Sequence, residues 1–201
     1  MPFAPRPRQL FFLLLLAGFI GINIGCLTLE NCNAFEYRRQ TVLDGAWWRL
    51  LTGHLVHLGW RHFLLNLAGL LLLLELVRDW LGPWARLTAL VLGMAAISGA
   101  LLWLHPEVAW YRGLSGALHA LWAAALVPAL RARAPLGWVL AVLLAAKILW
   151  EALSGQPASG ALLGDEPVLL LAHWYGAAAG LGYGLLLAAN AKWFGFSRPE
   201  G

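Results

Sequence analysis

The chain has 201 residues, of which 61% are hydrophobic and only 12% charged, and its mean hydropathy is +0.70. This composition excludes an ordinary soluble domain of this length and predicts a polytopic membrane protein. The net charge of +4 does not indicate a nucleic-acid partner, because no basic cluster alternates with aromatic residues as it does in strand-binding grooves. We expect the helices of the protein to be surrounded by membrane lipid.

Six apolar runs follow one another along the chain, each close to the length that crosses about 30 Å of hydrocarbon. They predict an all-α membrane protein, a six-transmembrane-helix bundle that forms one domain over residues 1–201. The predicted helices are 10–29, 60–77, 87–104, 114–130, 136–153 and 168–190. The first run follows Arg6 and Arg8 but is longer than the apolar part of a signal peptide, so we expect it to be retained.

Basic residues near the helix ends predict the orientation of the bundle. If the amino terminus is cytoplasmic, the inner segments carry more basic residues than the outer ones, which hold most of the acidic residues. The inner set is Arg6, Arg8, Arg78, Arg86, Arg131, Arg133, Lys192 and Arg198. Both termini are therefore expected in the cytoplasm, and the long connection over residues 30–59 on the outer surface.

Three polar residues from three predicted helices lie at nearly one depth. Measured from the inner basic residue of each helix, Ser115 and His62 lie about 24 Å up and His173 about 28 Å up. Asn66 is one turn deeper than His62 on the same helix face. Polar groups at this depth are costly unless they face the interior of the bundle, so they are candidates for function.

A serine beside a histidine is the pair that nucleophilic hydrolysis needs. Serine is a weak nucleophile until a base takes its proton, and imidazole titrates near neutral pH. Ser115 is therefore the predicted nucleophile and His173 its base. An oxyanion is expected to be held by the Ser115 amide in the first turn of its helix, with donors from His62 and Asn66.

Four glycines accompany these residues. Gly113 allows a turn into the helix of the serine, and Gly116 permits close approach of a neighbouring backbone. Gly176 and Gly180 share the face of His173 in a small-xxx-small pattern that draws membrane helices together. The predicted contact between the serine and the histidine depends on this close packing.

Other interpretations of these residues stay open on the sequence alone. Serine and glycine are common between packed membrane helices, and a buried histidine often serves as a hydrogen-bonding, proton-carrying or metal-binding group. A zinc site is not predicted, because no cysteine or carboxylate completes a regularly spaced set among the outer histidines. Those histidines are His54, His57, His62 and His105. No metal and no cofactor are expected.

Two further pairs have simpler roles. Lys147 and Glu151 share one face of the fifth predicted helix and are expected to form a local ion pair near the outer surface. Cys26 and Cys32 fall near the outer end of the first helix. A disulfide and two free thiols are equally compatible with that position.

Several short motifs occur in order between Trp47 and Leu187. They are Trp48-Arg49, His57, His62-Phe63-Leu64-Leu65-Asn66, Gly113-Leu114-Ser115-Gly116 and His173-x-x-Gly176-x-x-x-Gly180. Together they resemble the motif set of the rhomboid intramembrane serine proteases. The resemblance implies a six-helix fold and a dyad of Ser115 and His173 without an acid. It also implies an oxyanion site made by His62, Asn66 and the Ser115 amide.

One position departs from the common rhomboid pattern. Most rhomboids carry a tyrosine four residues after the serine, where it packs against the catalytic histidine, and this chain has His119. With Tyr111-Arg112 ahead of the serine motif, the chain resembles the rhombosortase subgroup of bacterial rhomboids. That resemblance implies substrates with a C-terminal Gly-Gly-type sorting tail, cut at the outer, periplasmic face of the bacterial inner membrane.

The expected partners are therefore transmembrane segments of protein substrates. A general rhomboid protease for other single-span substrates and a non-catalytic relative that binds membrane clients are the alternatives. The presence of both Ser115 and His173 argues against the non-catalytic alternative. A transporter that uses the histidines as proton carriers is disfavoured because paired intramembrane acids and broken helices in repeated halves are missing from the sequence.

Overall fold

Helices dominate the structure, as the apolar runs predict. The computed structural model describes residues 7–163 and 167–190, so Arg6, Lys192 and Arg198, used above for orientation, lie outside the described residues. The helices are α1 (Pro7–Thr28), α2 (Arg39–Leu43), α3 (Arg49–Thr52), α4 (Trp60–Leu76), α5 (Pro83–Trp103), α6 (Ser115–Arg131), α7 (Pro135–Ser154), α8 (Gly160–Leu163) and α9 (Leu170–Asn190). Two short strands, β1 (Tyr37–Arg38) and β2 (Trp110–Tyr111), complete the described part.

The long helices differ in how clearly they could span a membrane. In the described residues, α1, α5, α7 and α9 are long and apolar enough to cross it by length and composition. α4 and α6 have 17 residues each, about 26 Å of helix, at the short end of spanning lengths. Six spans therefore stay a prediction.

α5 begins four residues before its predicted start, because Pro83 suits the first turn of a helix.

The helix that begins at Ser115, α6, lies at the centre of the bundle. It packs most extensively against α9 and also contacts α4, α5 and α7. Small side chains make this possible, since Ala117, Ala120 and Ala124 of α6 are completely buried. On the α5 side, a Cβ added at Gly93 would lie only 2.4 Å from the Ala120 Cβ. Larger residues at these positions would push the neighbouring helices away.

Glycines of α9 face the backbone of α6 at successive turns. A Cβ added at Gly176 would lie 2.0 Å from the Gly116 carbonyl oxygen, and one added at Gly180 would lie 2.0 Å from the Ala120 carbonyl oxygen. Gly184 continues the pattern, with 2.6 Å to the Ala124 carbonyl oxygen. Real Cβ atoms do not approach so closely, so the contact between these helices requires glycine.

The long loop between α1 and α4 is tied to the loop between α5 and α6. β1 pairs with β2 in an antiparallel ladder that places Tyr37 opposite Tyr111. Glu36 is buried and bridges Arg38 of the first loop and Arg112 of the second. The Gly113 amide also donates to the Gly53 carbonyl at 3.1 Å. These bonds hold the segment that leads into α6.

Cys26 and Cys32 lie together near the carboxyl-terminal end of α1. Both are buried in one small apolar cluster that includes Val56. They are free thiols in this structure.

Candidate active site

Ser115 and His173 meet where α6 and α9 both begin. The His173 Nε2 atom lies 2.9 Å from the Ser115 Oγ atom, a hydrogen-bonding distance. His173 is buried, with 2% of its surface exposed, while Ser115 is half-buried. Gly116 lets the two helix starts approach, since an added Cβ would lie 2.6 Å from the Ala172 carbonyl oxygen. The arrangement can pass the serine proton to the imidazole.

The other ring nitrogen of His173 contacts a carboxylate from a third helix. The Nδ1 atom lies 2.9 Å from Oε2 of Glu151, which is near the end of α7 and is 1% exposed. Lys147, one turn earlier, pairs with the other carboxylate oxygen, Oε1. The predicted ion pair on this helix is present, but the contact with His173 is new. The dyad implied by the resemblance therefore has an acid beside it.

The constant rise per residue of a helix does give the level of Glu151 from the sequence. Glu151 lies sixteen residues after Pro135, where α7 begins, which is about 24 Å of helix and close to the predicted level of Ser115. On its own helix Glu151 already has a sufficient partner in Lys147, so the local pattern does not point to a second one.

His119 packs flat against His173. The two ring centroids are 4.2 Å apart and the ring planes differ by 16°. The His119 Nδ1 lies 2.7 Å from the Ser115 carbonyl oxygen. Because a carbonyl oxygen only accepts, Nδ1 carries the hydrogen in this bond. This histidine therefore contacts both members of the serine–histidine pair without reaching the serine hydroxyl.

His62 and Asn66, the predicted oxyanion donors, lie on α4, and His62 packs against Gly113 in the loop that leads into α6. Gly113 has a positive φ of 129°, and an added Cβ would lie 2.9 Å from the His62 Cε1 atom. Only glycine therefore fits between the loop and this histidine. Asn66 donates from Nδ2 to the His62 carbonyl at 2.9 Å, and both side chains are buried. The second N–H of the Asn66 amide is not used in that bond.

His57 also contacts the loop that leads into α6, and it is held there by Asn23 of α1, a residue that the sequence did not single out. The Asn23 Nδ2 donates to the carbonyls of Phe19 at 2.8 Å and Leu55 at 2.7 Å, so its Oδ1 accepts from His57 Nδ1 at 2.8 Å. The His57 Nε2 is then an acceptor for the Leu114 amide at 3.4 Å. Burial lowers the pKa of His57 to about 3, so the ring is neutral as these bonds require.

A second serine–histidine pair is present and has a different character. His54 Nε2 lies 2.9 Å from Ser98 Oγ, and both residues are buried. The Ser98 hydroxyl donates to the Leu50 carbonyl at 2.5 Å, so its hydrogen is already committed and His54 acts as the donor. Burial lowers the pKa of His54 to about 4. This pair links the segment around α3 to α5 and lacks an available nucleophile.

His119, Glu151 and His173 are the described residues that come nearest to a metal-binding set. They offer ligand atoms within 4.8 Å of one another. The lone pair of an imidazole nitrogen lies in the ring plane, and these two rings are nearly parallel at 4.2 Å, so one ion cannot lie in both planes. Both His173 nitrogens are also engaged by Ser115 and Glu151. The geometry fits a hydrogen-bonded chain better than a metal centre.

Comparison with known proteins identifies a family over most of the chain. A family model described as the Rhomboid domain matches residues 44–190, well over half of the chain and all of α4 to α9. A comparison with individually curated proteins returns no significant match. The family and the apolar helices together indicate a multi-pass membrane protein. The chain belongs to the rhomboid family, and this membership implies an intramembrane serine protease.

Proposed function

We propose that this chain is an endopeptidase that cuts transmembrane anchors, with Ser115 as nucleophile and His173 as general base. The observation that carries the proposal is the 2.9 Å contact between Ser115 Oγ and His173 Nε2, in a chain of the rhomboid family. Retention of a half-buried serine next to a buried imidazole supports catalysis over the alternative of a non-catalytic client-binding protein.

The reaction begins with transfer of the hydroxyl proton from Ser115 Oγ to His173 Nε2. The oxygen then bonds to the carbonyl carbon of the scissile peptide, whose carbonyl oxygen becomes an anion. The imidazolium gives its proton to the departing amine nitrogen as the peptide bond breaks, leaving an acyl-enzyme. Water or an amine then attacks the acyl carbon while His173 takes its proton. The bond between that carbon and Ser115 Oγ breaks, the imidazolium returns the proton to Oγ, and the product leaves with the free serine restored.

The oxyanion needs donors on the α4 side of the serine. The Ser115 amide belongs to the first turn of α6, where backbone N–H groups point out of the helix end. His62 of α4 lies against Gly113, in the loop just before Ser115. Asn66 has a second amide hydrogen that its bond to the His62 carbonyl does not use. The His62 and Asn66 side chains are buried, so an anion beside them would be stabilised with little competition from water.

We propose that the site opens to the outer, periplasmic face of a bacterial inner membrane, with both termini in the cytoplasm. Ser115, His173 and His62 all lie at the end of the bundle where the long outer loop packs. Arg131 ends α6 at the opposite end, and Arg78 follows α4 there. The support for a cytoplasmic location of that end is the sequence count, in which Arg6, Lys192 and Arg198, outside the described residues, give the predicted inner segments more basic residues than the outer ones.

We further propose that the substrates carry C-terminal Gly-Gly-type tails, as in the rhombosortase subgroup. The support is the His119 ring, which occupies the position on His173 where most rhomboids are expected to have a tyrosine. Glycine lowers helix stability by about 1 kcal/mol relative to alanine, which helps an anchor to unwind and expose its carbonyl. A general rhomboid protease that cuts other single-span anchors is the alternative.

The test uses the purified chain reconstituted with a tagged single-span anchor that carries a Gly-Gly pair. We expect cleavage near that pair, identified by the mass of the product, and poor cleavage when Leu-Leu replaces it. Equal cleavage of both anchors would remove the Gly-Gly specificity and leave the general protease. No cleavage of any anchor, together with no labelling by a fluorophosphonate, would remove the protease itself. In cells, the released ectodomain should appear outside the cytoplasm.

A further inference from the structure

We propose that Glu151 is a positioning residue for His173, so that the active site works as a serine–histidine–glutamate triad. This inference rests on the proposed function and adds to it an acid that the family resemblance does not imply. Three helices supply the three members, since Ser115 is on α6, His173 on α9 and Glu151 on α7. The two hydrogen bonds that join them are both 2.9 Å long.

The carboxylate selects the tautomer that a general base needs. An ionised carboxylate only accepts hydrogen bonds, so the Nδ1 of His173 must carry the hydrogen in its contact with Glu151 Oε2. In the neutral ring, Nε2 then has a free lone pair directed at the Ser115 hydroxyl. When Nε2 takes the proton, the positive ring faces a negative carboxylate in a buried site. That contact is stronger in the charged state, so it favours proton transfer.

The carboxylate also completes the orientation of the ring. His119 stacks on one face of His173, which restrains the plane of the ring but still permits a 180° flip about the Cβ–Cγ bond, since the flipped ring lies in the same plane. Bonds at both ring nitrogens, to Ser115 and to Glu151, favour one of these two orientations, because the flip would put carbons in place of the nitrogens. His119 cannot replace the acid, because its Nδ1 hydrogen is donated to the Ser115 carbonyl.

The simpler explanation of Glu151 is an ion pair with Lys147 one turn away. The geometry shows more than that, because the two carboxylate oxygens have different partners. Oε1 contacts Lys147 and accepts from the Ala158 amide at 3.4 Å, whereas Oε2 contacts His173. A lysine 22% exposed could hold a carboxylate near the surface, yet Glu151 is 1% exposed. Burying a carboxylate costs free energy, and the hydrogen bond with His173 offsets part of that cost.

The experiment compares Glu151→Gln with the double variant Lys147→Met/Glu151→Gln in the purified full chain. Glu75→Gln is the control, because that carboxylate is exposed and pairs with Arg78 at the other end of the bundle. Each protein is checked by thermal unfolding, and the labelling rate with a fluorophosphonate is measured per folded molecule. Turnover and KM are measured with the Gly-Gly anchor.

We expect Glu151→Gln to lower the labelling rate and kcat by about 10²-fold or more, with KM changed less than about threefold. The double variant should stay equally slow, because removing the unpaired lysine does not return an acid to His173. The control should behave as wild type. A purely structural role would instead lower the folded fraction and leave the rate per folded molecule unchanged.

Two results would overturn the triad. One is a Glu151→Gln protein that labels and turns over within about threefold of wild type. The other is a double variant whose labelling rate and kcat return to the wild-type values, which would show that Glu151 only neutralises Lys147. If Glu151→Gln does not fold, Glu151→Asp replaces it. The shorter carboxylate can still contact the flexible Lys147 side chain but cannot reach His173. Slow labelling by a folded Glu151→Asp protein would therefore support the triad. Labelling at the wild-type rate would overturn it.

The same measurements separate this inference from the proposed function. If Ser115→Ala loses labelling while Glu151→Gln is as fast as wild type, the serine protease stands and only the triad fails. If Ser115→Ala labels like the wild type, the proposed function fails and the role of Glu151 fails with it.

Discussion

Replacing Gly180 with alanine should separate the two helices that carry Ser115 and His173. The added Cβ would lie 2.0 Å from the Ala120 carbonyl oxygen, whereas ordinary contact begins at 3.4 Å. The helices must therefore part by about 1 Å or more at this turn, since backbone atoms cannot rotate aside. The same shift at the site would stretch the 2.9 Å serine–histidine bond beyond about 3.5 Å.

From this displacement we expect a loss of about 10²-fold in activity, and about 1–3 kcal/mol in the free energy of unfolding from overpacking. The matched control is Gly182→Ala on the same helix, where an added Cβ meets nothing within 4 Å. Alanine there should leave activity intact and stabilise the helix by up to about 1 kcal/mol.

The assay measures fluorophosphonate labelling rate and thermal unfolding for both glycine variants in one detergent. A Gly180→Ala protein that labels and unfolds like Gly182→Ala would refute the argument, because it would mean that the α6–α9 contact has room for a methyl group.

Three residues around the nucleophile should respond in different ways. His173→Ala should abolish cleavage, whereas His119→Ala should retain part of it, because His119 donates to the Ser115 carbonyl and does not reach the hydroxyl. The reverse order, measured as kcat on one anchor, would exchange their roles. Asn66→Ala should lower kcat by about 10²-fold with little change in substrate association, as expected for loss of one oxyanion donor. Unchanged kcat with weaker association would make Asn66 a binding residue.

The levels of the polar residues could be predicted from the sequence, because helix rise is constant. Counting from the inner basic residues places Ser115 and His173 at one depth, and the structure joins them. The glycine pattern on α9 indicates a close contact, although Gly184 extends it by a further turn. Both predictions follow from the regular spacing of residues along a single helix.

The contacts between distant segments could not be predicted in this way. Glu151 has a sufficient partner on its own helix, so nothing in its local pattern points to His173 on α9. The pairing of Tyr37 with Tyr111 joins two loops whose two-residue strands carry no periodic signal. The direction in which a helix face points depends on how the whole bundle packs, which hydrophobic length alone does not determine.

The most direct test of the account compares Ser115→Ala with Ser98→Ala, since each removes the hydroxyl of one serine–histidine pair. The Ser98 hydroxyl is committed to the Leu50 carbonyl, whereas Ser115 is half-buried with its hydroxyl against the Nε2 of His173. We predict that Ser115→Ala abolishes both fluorophosphonate labelling and anchor cleavage while unfolding at the wild-type temperature, and that Ser98→Ala keeps both activities per folded molecule. Labelling that persists in Ser115→Ala and disappears in a folded Ser98→Ala would contradict the assignment of the nucleophile.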